Sequence, residues 1–125
     1  MMQAGLLWAA SVSSLATFAV HTFIGGVYVA RPLLADRALP KAAKWLAYYC
    51  WHIVTMLLFA MAVVFCLAAA NLITRDVAFG LSLFCTACSV LSIAVALKAG
   101  IVPWRFPSTS LFALSAVFGF AASFS

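Results

Sequence analysis

The sequence predicts an all-α protein, an integral membrane four-helix bundle with both termini on the same, non-cytoplasmic side. Three observations carry this expectation. Of 125 residues, 68% are apolar and 7% charged, with a mean hydropathy of +1.21, a balance that would leave a water-soluble globule coated in exposed hydrocarbon. The charged side chains punctuate the apolar runs, so that Met1 to Ala30, Trp45 to Thr74, Val77 to Leu97 and Phe106 to Ser125 contain no Asp, Glu, Lys or Arg. Each gap is close to the roughly 20 apolar residues that a helix needs to cross the hydrocarbon core. Four spans and their turns occupy 1–125 as a single transmembrane domain, with no room for a soluble one.

The first helix is expected over approximately 4–30. Arg31-Pro32 should end it, because proline has no N–H for the ladder and restricts the residue before it. This segment lacks a positively charged start and stays apolar beyond the length of a signal core, so it reads as a retained span. Residues 31–43 then form the longest loop. Pro40 suits a first-turn position, and the second helix covers approximately 44–70. Asn71 closes it, and Thr74 is expected to cap the third helix through its hydroxyl, with Asp76 in the first turn. The third helix covers approximately 75–99 and is stopped by Gly100, Pro103 and Pro107. The fourth, approximately 108–125, is just long enough to span.

Orientation follows from the basic residues, which cytoplasmic loops retain. Arg31, Arg37, Lys41 and Lys44 against Asp36 make the first loop net +3. Lys98 and Arg105 make the third net +2, and Arg75 with Asp76 leaves the second neutral. Loops one and three are therefore placed in the cytoplasm, in the setting of a bacterial inner (cytoplasmic) membrane. Tyr28, Trp45, Tyr48, Tyr49, Trp51 and Trp104 cluster toward that basic side, where amphipathic rings favour the headgroups. The net charge of +5 is accounted for by topology and by attraction to anionic membrane lipid, so no nucleic-acid partner is expected.

Ionisable groups within hydrocarbon are costly and therefore informative. The spans contain two, His21 and His52. Counted from Arg31 and Lys44 at 1.5 Å per residue, they lie roughly 15 Å and 12 Å from the basic boundary, at nearly equal depth on adjacent antiparallel helices. His21 belongs to a stripe of Ser14, Thr17, Gly25 and Tyr28, and His52 to one of Tyr48, Thr55 and Phe59. Three readings follow. Each imidazole hydrogen-bonds a neighbouring helix and glues the bundle; or both ligate haem b or a transition metal; or they form a proton or substrate relay in a small channel or transporter. For haem, Gly25 would let the macrocycle approach the backbone, but helices packed 8 to 10 Å apart leave no space for a porphyrin between them. For a metal ion, two histidines without a carboxylate make an incomplete set.

Cys85 and Cys88 form a CTAC motif at thiol-oxidoreductase spacing. Their place in mid-span, away from water, favours packing over redox chemistry. Ser82, Cys85, Ser89 and Ser92 form one small-residue stripe, and Ser108, Ser115, Gly119 and Ala122 another, suited to close helix approach. No paired-carboxylate site, serine triad or phosphate loop is present, and no catalytic residue is assigned. These features point away from an enzyme. The expected role is a non-enzymatic subunit or accessory of a larger membrane assembly, or a homo-oligomer, with a polar intramembrane site at His21 and His52.

Overall fold

A computed structural model of the chain describes residues 2–125. Its regular elements are all helical among the described residues: α1 (Met2–Ala35), α2 (Lys41–Ala69), α3 (Arg75–Lys98) and α4 (Pro107–Phe124), with a 3₁₀ turn at Pro103–Arg105. All four helices are long and apolar enough to cross a membrane.

The first helix does not stop at Arg31-Pro32. It continues to Ala35 by changing pitch: α-helical over Met2–Ala19, π-helical over Val20–Ala30, and α-helical again over Arg31–Ala35. Arg31 N–H donates to Gly26 O, five residues back. The widened turns end at Ala30, just before the Arg31-Pro32 pair, and such a change of pitch is a local adjustment by which an apolar helix can tolerate proline. The loop expected over 31–43 consequently shrinks to 36–40. There Asp36 Oδ1 accepts the backbone N–H of Ala38 at 2.7 Å and of Leu39 at 3.2 Å, which shapes the turn.

The remaining boundaries follow the sequence signals closely. Asn71 adopts φ 57°, while Leu72 N–H donates to Leu67 O at 2.9 Å and Asn71 N–H to Ala68 O at 3.1 Å. This is the paired bonding of a left-handed helix stop. Gly100 repeats it at φ 69°, with Ile101 N–H on Ala96 O and Gly100 N–H on Leu97 O. Thr74 does occupy the position before α3, but its hydroxyl makes no capping bond. Its side chain is exposed, so water can serve the free N–H groups instead.

The helices are ordered in space α2, α1, α4, α3. The first helix packs along both α2 and α4, and α3 along α4, whereas α2 and α3 touch only sparingly. Phe65, Leu58 and Met61 of α2 fill the centre with Cys85 of α3 and Ala116 and Ala122 of α4. Around them the helices are joined by hydroxyls. Ser11 Oγ donates to Ala62 O at 2.8 Å, Ser13 and Ser115 share a bond of 2.9 Å, Ser89 Oγ donates to Thr109 O at 2.8 Å, and Ser92 bonds both Ser108 and Thr109 at 2.8 Å. Gln3 Nε2 reaches Ala122 O at 2.9 Å, so the first and last turns of the bundle meet.

Small residues make this approach possible. A Cβ on Gly119 would overlap the Ser82 side chain and lie 3.1 Å from Phe65 Cε1. Both predicted small-residue stripes are thus inner seams: Ser82, Cys85, Ser89 and Ser92 are buried, as are Ser115, Gly119 and Ala122, with Ser108 half-buried. Outward, Val12, Phe23, Met56, Leu91 and Val117 are exposed. An apolar coat over a polar-stitched interior is the pattern suited to hydrocarbon surroundings.

Candidate functional site

The π-helical stretch of α1 is where the bundle opens. Six of its residues, Val20, His21, Ile24, Gly25, Tyr28 and Val29, face Trp51, Val54 and Leu58 of α2 and, from the segment that leads into α4, Arg105 to Ser108, Leu111 and Phe112 across a cleft of about 550 Å³. That volume lies in the range of small-molecule sites. A second cleft of about 440 Å³ lies on the other side of the α1–α2 contact, lined by Thr22, Gly26 and Arg31 and by Tyr48, Trp51, His52 and Thr55.

Trp51 is the wall between them, since it alone of the α2 residues borders both. Its indole fits because residue 25 is glycine: a Cβ there would sit 2.6 Å from Trp51 Cη2 and 3.1 Å from Cζ2. The indole also stacks on the His21 ring, with centroids 3.9 Å apart and planes 19° from parallel. His21 Nε2 lies 3.3 Å from Trp51 O. A carbonyl oxygen only accepts, so this contact requires the proton on Nε2. Thr55 Oγ1 donates to the same carbonyl at 3.0 Å.

His52 stands apart from this group. It meets Tyr48 edge-on, with ring centroids 4.5 Å apart, and lines the second cleft only. The equal depth expected of the two histidines is consistent with His21 stacking on the residue that precedes His52. Their union in one site is not what the structure shows, because adjacent residues of a helix point about 100° apart and Trp51 takes the side facing His21. The stripe on α1 holds over most of its length: Thr17, His21, Gly25 and Tyr28 all border the larger cleft, with burial falling from Thr17 through His21 and Gly25 to an exposed Tyr28.

The π geometry leaves one polar atom without a partner. Thr17, Thr55, Ser82 and Thr86 each donate to the carbonyl four residues earlier, the usual way a helical hydroxyl satisfies itself in an apolar setting. Thr22 Oγ1 is buried and has no hydrogen-bond partner among the described residues. It lies where the backbone ladder reaches five residues back instead of four.

Among the described residues no three His, Cys, Asp or Glu side chains come together as a metal-ligand group. Cys85 is in the core cluster, Cys88 is half-buried, and both are free thiols. Neither borders a cleft. For haem, His52 is not on the same cleft as His21 to supply the opposite axial ligand. Trp51 as divider and Arg105 at the cleft mouth were missed by the sequence reading, which took Trp51 for an interfacial anchor and Arg105 for a loop charge. The usable signal was Gly25, a residue without a side chain at the level of a tryptophan on the next helix.

Fold and site together define a four-helix, membrane-span-like bundle with a ligand-sized apolar cleft at its basic end. Comparison with protein-family models, curated proteins and solved structures found no match.

Proposed function

We propose that the chain is a four-span membrane protein that holds a membrane-soluble ligand in the cleft beside His21, with no chemistry of its own. It acts as a subunit of a homo-oligomer or of a larger membrane assembly. The loops carrying Lys41 and Arg105 face the cytoplasm, both termini face the opposite side, and the inner membrane of a bacterium is the natural setting. The observation that carries the binding role is the cleft of about 550 Å³, open between α1, α2 and the start of α4 in a bundle whose α1–α4 and α3–α4 seams are closed by hydroxyl bonds. His21 and Trp51 line it, and His52 lines the second cleft. Transition-metal or haem binding at His21 and His52 has no support from a shared site. The relay reading is weakened in the same way, because the two imidazoles line different clefts.

Native mass spectrometry of protein extracted with its own lipids tests the binding role. The expected result is a non-covalent adduct or a multimer that survives mild activation, together with no Soret absorption and no stoichiometric metal. A bare single chain under the gentlest conditions overturns it. Orientation is checked with single cysteines in a background lacking Cys50, Cys66, Cys85 and Cys88. A membrane-impermeant maleimide should label Thr74→Cys in intact cells, and Lys41→Cys only after permeabilisation.

A further inference from the structure

We infer that the cleft beside His21 takes one acyl chain of an anionic phospholipid, with the lipid phosphate held by Arg105. This deepens the proposed binding role by naming its ligand. The walls are hydrocarbon: Val20 and Ile24 of α1, Val54 and Leu58 of α2, and Leu111 and Phe112 of α4. Between Trp51 and Leu58, which both border it, α2 rises about 10 Å, a large part of one leaflet of a hydrocarbon core that is roughly 30 Å thick. At the loop end the same cleft is bordered by Arg105, with the Ser108 and Tyr28 side chains beside it, and by no carboxylate.

The chemistry selects among occupants. A flat macrocycle that needs two axial histidines finds only His21 on this cleft, since His52 lines the other. A neutral apolar molecule would fill the walls but leave the guanidinium unanswered. A flexible chain ending in a phosphate satisfies both, because a guanidinium pairs with phosphate oxygens through two parallel N–H groups. The Asp36 carboxylate, the one acid in the neighbouring loop, is already engaged by the Ala38 and Leu39 amides.

The test uses Trp51 as the reporter. The full chain, carrying Trp8, Trp45 and Trp104→Phe, is reconstituted in phosphatidylcholine vesicles containing a minor fraction of phosphatidylglycerol with dibrominated acyl chains, which quench an indole on contact. Matched vesicles carry the bromines on phosphatidylcholine instead. Brominated phosphatidylglycerol should quench Trp51 as if enriched about fivefold over its share of the membrane, whereas brominated phosphatidylcholine quenches in proportion to its share. Arg105→Gln should abolish the preference, Arg105→Lys should keep part of it, and Arg37→Gln, outside the cleft, should keep it all. Equal quenching by the two lipids, or a preference unchanged in Arg105→Gln, overturns the anionic-lipid assignment while leaving an occupied cleft. No quenching by either lipid overturns the acyl-chain assignment too, and the adducts seen by native mass spectrometry then decide the binding role independently.

Discussion

The two ends of this bundle solve the same problem in opposite ways. At the end where the termini meet, α1, α2 and α4 close around Phe65 and Met61, and buried hydroxyls cross from helix to helix. At the basic end, α1 unwinds to π pitch, a tryptophan is wedged against a glycine, and a cleft remains. The difference lies in what the inner positions carry. Serine and alanine are small enough for backbones to approach and still bond across. The π stretch places Gly25 and Gly26 beside β-branched Val20, Thr22, Ile24, Val27 and Val29, and a side chain as large as Trp51 must be accommodated there. At the basic end Ser89, Ser92, Ser108 and Thr109 still stitch α3 to α4, so what is propped open there is the α1–α2 side.

Paired truncations should break this contrast most sharply. Met61 is 2% exposed in the closed half, and Met61→Ala should cost about 3 kcal/mol, as a cavity left in a filled core does. Ile24 borders the cleft and is 53% exposed, so Ile24→Ala should cost less than about 1 kcal/mol, because the atoms removed were not closely packed. Unfolding in mixed micelles measures both, and equal losses would mean that the open half is packed as tightly as the closed one.

A smaller effect is expected at the wedge. In Gly25→Ala the new methyl meets the edge of the Trp51 indole, an overpacking that costs about 1 to 3 kcal/mol, while alanine returns up to about 1 kcal/mol in helix propensity. The net loss should be about 1 kcal/mol. The more telling readout is Trp51 fluorescence in the single-tryptophan background, which should shift as the ring leaves His21. An unshifted spectrum would show that the indole is not seated against residue 25.

The sequence alone determined the number of helices, their approximate bounds and the small-residue seams. Charge-free apolar runs, the Asn71 and Gly100 stops and the serine stripes are local signals, each readable within a few residues. The tertiary structure decided the rest. Whether Pro32 ends a helix or is absorbed by a change of pitch depends on whether the freed backbone groups find partners, and sequence does not say which carbonyls are within reach. Two histidines at one depth became residents of two clefts for an equally non-local reason: the rotation of α2 about its own axis set Trp51, and not His52, against His21. Rotation is settled by the sum of contacts along three neighbouring helices, and no short stretch of sequence contains that sum.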